Sequence, residues 1–431
     1  MKNRFFVFSI FVCIFVSSYT FFKEPFEGYF YYIIFLILLP IFFIKYGLPI
    51  SPIKILIVPL LFGIIQIYEG NDTPELFAKI FFGILVSASF YYYVMVAFEF
   101  DVETLFVYYL KGVYIVTLIG YFQLFSYYIH FKPGYDFQWI FNKWSAVTNK
   151  DGEFRMNSIL PEASQFAITL SPALFISIYN ILFKKQVYLK RHQSILIIIA
   201  VIQSTSSLGL ISFFVIALLL TINYGKFINF LIALVISIFI ANIFYIYMPD
   251  FKSRVDSAKG LWIDNKYTIE NVNNSSFILY NHWIVASENF KRHPLAGTGL
   301  GSHPLAFDLY SLTLLKEIID FNFNKADANS MILRLLSETG IIGVSFMFYV
   351  IFRFFVRRNF QLPDNNYWLI SNAVLVLIIL YQLRQGNYFI NGFPFFMWMY
   401  YYTKKVYKIS LTQDTAEMRD RAFPDPEFSA Q

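Results

Sequence analysis

The apolar residues of this chain are gathered into runs long enough to cross a bilayer, and that constrains its fold more than anything else. A membrane-spanning helix needs about 20 mostly apolar residues. By that measure the runs number about twelve: 5–22, 29–45, 53–68, 76–98, 105–130, 163–183, 194–206, 208–222, 227–248, 340–356, 367–383 and 388–403. The sequence is 57% hydrophobic and 14% charged, where a soluble domain is roughly 45–50% apolar and about 25% charged. The expected fold is therefore an all-α polytopic integral membrane protein with about 12 transmembrane helices.

The seventh and eighth runs form one apolar stretch, interrupted at 203–209 by Gln-Ser-Thr-Ser-Ser-Leu-Gly. Charge decides how to read it. With two spans there and the N-terminus inside, Lys45, Lys54, Lys184, Lys185, Lys190, Arg191, Lys226, Arg353, Arg357, Arg358, Lys404 and Lys405 all fall in cytoplasmic loops. That is the positive-inside pattern. One long helix would flip every later loop and break it. Both termini are then expected in the cytoplasm. The first run lacks a small-residue cleavage site and is expected to stay as a span.

The organisation follows. Residues 1–248 carry nine spans and a shorter external loop at 131–162. Residues 249–334 form a large external loop, and 335–408 carry the last three spans. The polar tail 409–431 is expected to be disordered. The large loop holds Leu261, Trp262, Phe277, Trp283 and Phe290, which predict helices packed on the membrane part. The net charge of +6 comes from clusters between apolar runs, so nucleic acid is not an expected partner; the lipid bilayer is. Cys13 is the only cysteine, which excludes an internal disulfide and a cysteine metal site.

The external loops hold the residues with chemistry. Gly297, Gly299 and Gly301 follow a helix that ends near Arg292 and His293. A dinucleotide loop would need a preceding strand, and none precedes, so the glycines read as a structural turn. His282, His293 and His303 are spaced too widely along the chain to fit a local metal-ligand pattern; no metal and no cofactor are expected. Asp308, Glu317, Asp320 and Asp327 read as a solvated acidic face.

The strings NFKRHPLAGTGLGS (289–302), ANSMILRLLSETGIIGV (328–344), FRMNSILPEASQFA (154–167) and RQGNY (384–388) together resemble the O-antigen ligase/polymerase superfamily. In the ligase branch a histidine stands at a set distance before the first glycine of the later motif. Here that place is Asn329, before Gly340, and Asn cannot act as a base. The resemblance is therefore to the polymerase (Wzy-type) branch. It implies a fold similar to membrane-embedded GT-C-like glycosyltransferases, in the bacterial inner membrane. It implies metal-independent transfer of a growing glycan from undecaprenyl pyrophosphate to the terminal sugar of an incoming lipid-linked repeat unit, at the periplasmic face. A chain-length regulator and a flippase are the implied partners besides the undecaprenyl-pyrophosphate-linked oligosaccharide. A ligase, or a transporter of lipid-linked oligosaccharide, is the alternative.

Such chemistry needs cations for the leaving pyrophosphate, and guanidinium forks suit its oxygens. Arg155, Arg254, Arg292, Arg334 and Arg384 are the candidates for pyrophosphate and glycan binding. A base for the acceptor hydroxyl is expected among Glu162, His293 and His303.

Overall fold

The structure, a computed structural model, describes residues 4–422 apart from 23–26, 147, 149–151, 153, 265–271, 313–323, 362–364 and most of 226–248. Among the described residues the regular structure is helical, with only isolated bridges Thr20–Tyr29 and Thr148–Phe154. Among the described residues seven helices are long and apolar enough to cross a membrane: α3 (Ile50–Tyr68), α4 (Pro74–Ala97), α5 (Val102–Tyr128), α7 (Ala163–Leu182), α9 (Ser207–Tyr224), α13 (Met331–Phe354) and α14 (Tyr367–Arg384). Two more are apolar but shorter, α2 (Tyr31–Tyr46) and α8 (Arg191–Gln203). A short α1 (Arg4–Phe15), a single turn α6 (Lys132–Tyr135) and the final α15 (Phe393–Ala422) complete this set. The run expected at 227–248 lies largely outside the described residues. The large loop contains α10 (Pro249–Lys259), α11 (Asn274–Arg292) and α12 (His303–Tyr310). The last helix continues past residue 409, where the sequence predicts the start of a polar tail.

Local sequence sets the helix starts. Thr73 caps α4 through Oγ1, which accepts from Leu76 N, with Pro74 in the first turn. Asp101 caps α5 and Asn273 caps α11 in the same way. Each such cap is worth about 1 kcal/mol. The helices α7 and α14 form the centre, with 78% of each spanning window buried against 22% for α3.

The 203–209 interruption resolves into two helices. Asn180, near the end of α7, binds the carbonyls of Val187 and Leu189 at 3.1 Å each and fixes the turn into α8. The far end of α8 meets the strap before α7 through Met156 N to Gln203 O, 3.2 Å. So α8 runs back along α7, and the chain turns again into α9. At the end of α9, Asn223 bonds Asn372 in the first turns of α14. One end of the bundle thus gathers the 154–162 strap, the α8–α9 turn and the C-terminus of α14. The loop at 183–190 and the segment 355–361 lie at the other.

The glycine run is built into a broken helix. Inside α13, Gly340 has φ +59° and ψ −152°, a backbone essentially closed to side-chain-bearing residues. The helical bonds from Ile341 and Ile342 to residues 337 and 338 are replaced. Ile341 N donates to Pro294 O (2.9 Å) and Ile342 N to Leu295 O (3.2 Å). The released carbonyls of Ser337 and Glu338 accept from Thr298 N (3.3 Å) and Gly299 N (2.8 Å). Asn289 Nδ2 adds bonds to Ser337 O and Thr298 Oγ1, each 3.0 Å. A Cβ on Gly297 would lie 2.4 Å from the Glu338 carbonyl carbon. Gly297 and Gly340 let the two backbones come close enough to exchange hydrogen bonds.

Candidate functional site

Five of the eight candidate side chains converge on one cavity of about 2280 Å³: Arg155, Glu162, Arg254, Arg334 and Arg384. They come from four segments, the 154–162 strap, α10, α13 and α14, and each is placed by a local reason. Arg155 belongs to the strap before α7. Gln123, fully buried in α5, receives Ser158 N at 2.9 Å and donates to Asn157 Oδ1 at 3.2 Å, which fixes that strap. Arg155 Nε then reaches Ser204 O of the α8–α9 turn at 3.4 Å.

Glu162 stands at the N-cap position of α7, yet its carboxylate caps no backbone amide; Oε2 accepts from Ser164 Oγ at 2.9 Å. Arg254, on α10, donates from Nη1 to Ser207 Oγ at the start of α9. Arg384 ends α14 and donates from Nη1 to Ser275 O at 2.9 Å. It lies near enough to Arg254 and Glu162 to feel both charges.

Arg334 is the most enclosed, at 2% exposure. Its Nε donates to Glu338 Oε1 at 2.8 Å, one helical turn on, and its Nη1 to Gly386 O at 2.9 Å. Tyr388 closes the cluster. Its ring lies 4.4 Å from the guanidinium carbon, and its hydroxyl donates to Glu338 Oε2 at 2.8 Å. A buried cation is tolerable only with such pairing.

The cavity has two chemical parts. Its polar head carries six basic side chains and four carboxylates. Its apolar part runs along α2 and α4, past Ile33, Leu36, Phe43 and Ile44 on one side and Phe82, Leu85 and Val86 on the other, to Leu48 and Tyr93. Glu75 to Tyr93 along α4 spans ~27 Å at 1.5 Å per residue, close to the ~30 Å hydrocarbon core of a bilayer. Leu36 and Ile44 are 73% and 86% exposed, so this wall opens outward.

The remaining candidates lie elsewhere. Arg292 is exposed and stacks over Tyr310 at 5.1 Å. His293 is half-buried at the C-cap of α11 and does not line the cavity. His303 is fully buried, with Nε2 3.0 Å from His282 Nδ1, and does not line it either. Burial first, then His282 and Arg334, hold the His303 imidazole well below its usual pKa, so it is neutral. Among the described residues no three His, Cys, Asp or Glu side chains could hold a metal ion together.

Sequence reasoning missed two members of the wall, Lys79 and Asp327, and one buried residue behind it, Glu338. Lys79 sits in α4 and lines the cavity; a lone lysine inside an apolar run is itself a functional signal. Glu338, four residues after Arg334, is legible as a helical ion pair. Asp327 reads from sequence as part of a solvated acidic face, but it lines the cavity. Asp308 does face solvent, paired with Lys325 at 2.6 Å, while Glu317 and Asp320 lie outside the described residues. Compared with known proteins, the chain matches no family model and no curated protein.

Proposed function

We propose that this chain is a membrane-embedded glycosyltransferase. It moves a growing glycan from a polyprenyl pyrophosphate to the terminal sugar of a lipid-linked repeat unit, as a polysaccharide polymerase does. The observation that carries this reading is one cavity that joins an arginine-rich head to an apolar groove of membrane depth. A polyprenyl pyrophosphate has those two parts in that order. The volume exceeds the roughly 300–1,000 Å³ of a single small-molecule site, which suits two large substrates meeting.

The motif resemblance to the O-antigen ligase/polymerase superfamily supports the same chemistry. Asn329 lines the cavity where a ligase would keep histidine, which favours the polymerase over the ligase. The basic segments 183–190 and 355–361 gather at the end away from the arginine head. By the positive-inside rule that end is cytoplasmic and the head faces outward.

Chemically, the acceptor oxygen attacks the anomeric carbon while the bond to pyrophosphate breaks. Charge grows on the leaving phosphate, and guanidinium groups already in place stabilise it. Reconstitution of the purified protein with a lipid-pyrophosphate-linked repeat unit tests the reading. A ladder of longer glycans is expected. Single transfer to another acceptor indicates a ligase, and movement of substrate between leaflets alone indicates a transporter.

A further inference from the structure

The proposed transfer needs a group to take the acceptor hydroxyl's proton. The sequence points to Glu162, His293 and His303, and neither histidine lines the cavity. Of the four carboxylates on the wall, Glu27 is paired with Lys143 and Glu75 belongs to the first turn of α4, which leaves Glu162 and Asp327. Glu162 is exposed and bonded to Ser164. Asp327 is half-buried, and its surroundings fix it far more firmly.

The loop that carries Asp327 is fastened to the end of α14. Gly386 lets it approach so closely that a Cβ there would fall 1.4 Å from Asp327 O. Further along the same loop, Ser330 Oγ donates to Gln382 O at 2.7 Å. The same Gly386 carbonyl receives Arg334 Nη1, so Asp327 and Arg334 are registered against one peptide unit. Ala328 and Asn329 both hold left-handed backbones, φ +55° and +53°. Left-handed backbone at residues other than glycine costs about 1–3 kcal/mol each and persists where the surroundings over-determine it. Asp327 Oδ1 accepts from Asn329 N at 3.0 Å; among the described residues Oδ2 has no hydrogen-bond partner.

We propose that Asp327 is the catalytic base of this site, taking the proton of the acceptor sugar's hydroxyl as that oxygen attacks the donor. This rests on the glycosyltransferase reading above. The balance is complete without a further reactant. The acceptor O–H proton passes to Asp327 Oδ2, and the acceptor oxygen bonds the donor's anomeric carbon. The bond from that carbon to pyrophosphate breaks, and the leaving phosphate keeps the electron pair. Asp327 then gives its proton to water. The charges that face it are Arg334 from α13, Glu162 from the start of α7 and Glu27 from the segment before α2. Burial raises the carboxyl's pKa, the Asn329 amide and Arg334 oppose it, and the two glutamates add to the rise. A raised carboxyl is the better base near neutral pH.

The test is elongation of a lipid-pyrophosphate-linked repeat unit by purified full-length protein, measured against pH. The wild-type rate should fall as pH drops through the Asp327 pKa. Asp327→Asn keeps the size and the bond to Asn329 N; kcat should fall by ~10²–10⁴-fold, with KM little changed and the acidic limb gone. Asp327→Glu should recover part of the rate and shift that limb. The assignment is overturned if Asp327→Asn keeps wild-type kcat and the acidic limb, or if Glu162→Gln alone removes that limb. Should Asp327→Asn lose its thermal transition, Asp327→Glu decides, because an unmoved limb then refutes the assignment. A wild type that elongates nothing sinks the polymerase reading itself, which an active Asp327→Asn does not.

Discussion

Replacing Gly340 with alanine tests whether the glycine motifs serve the broken helix. Alanine would have to adopt φ +59° and ψ −152°, a backbone that costs about 1–3 kcal/mol. Its Cβ would stand 2.6 Å from Leu295 O and 2.7 Å from Pro294 O. Those two oxygens receive Ile341 N and Ile342 N, so any shift that relieves the clash stretches the exchanged bonds. Four such bonds are at stake, each worth about 0.5–1.5 kcal/mol. With the backbone cost, the expected destabilisation is about 3–9 kcal/mol, a large share of the roughly 5–15 kcal/mol that typically holds a fold. Gly70→Ala is the control. Gly70 also has positive φ, +77°, but a Cβ there meets nothing within 4 Å; it should cost only about 1–2 kcal/mol. The assay is the thermal unfolding midpoint of purified protein in detergent, followed by near-ultraviolet circular dichroism. If Gly340→Ala melts no lower than Gly70→Ala, the hydrogen-bond exchange does not hold this end of the molecule together.

Arg384→Ala should cut elongation by on the order of 10²–10³-fold while moving the melting midpoint little, and the same holds for Arg155→Ala; a full rate in either removes that residue from the site. Glu338→Gln takes the carboxylate from a buried Arg334 and should destabilise by ~3–5 kcal/mol, read from the same melt; a midpoint like that of Gly70→Ala would refute the pairing. Asp72, 5% exposed in the α3–α4 loop with Oδ2 unpartnered, has its pKa raised to about 7, by burial first and then by Glu338, against the Thr73 amide. The folded pKa is above the unfolded value of about 3.9, so stability should fall as pH rises from ~4 to ~7. Asp72→Asn should flatten that slope, and an unchanged slope assigns it to another group.

The helices are legible because a span leaves a long apolar run, and the α8–α9 turn because loop charges count spans on either side of it. Arg155 and Arg384 are legible because a charge at the end of an apolar run sits at headgroup depth. What sequence reasoning misses shares one physical cause, long separation along the chain. The glycines at 297–301 read as a turn, but Gly297 and the amides of 298 and 299 meet the backbone of 337–339, while Gly301 meets Leu76 O of α4, all far along the chain. His303 reads as a candidate base beside the glycine turn, since nothing local announces its buried partner His282 on α11. Asp327 reads as solvated because its neighbours are polar; Gly386, beyond two intervening helices, brings it to the cavity. Periodicity and charge order report a residue's own element, while cavity walls are made between elements.

The cations of the head are not equivalent, and the difference bears on which of them a pyrophosphate would meet as uncompensated charge. Arg334 already faces Glu338, and Lys143 already faces Glu27. Both pairs are neutral overall and serve first to hold the walls. Arg384 has only a carbonyl, Ser275 O, and no ion pair among the described residues. Lys79, where the head meets the α2–α4 groove, likewise has none. Arg384 also lies close to Arg254, so the two like charges repel. An anion between two guanidiniums turns that repulsion into attraction on both sides. The head is therefore biased toward a multiply charged anion by groups fixed before it arrives. On the polymerase reading two pyrophosphates must be held at once, and two uncompensated cations on different elements meet that demand. A transporter, which carries one lipid-linked substrate at a time, has no need of both.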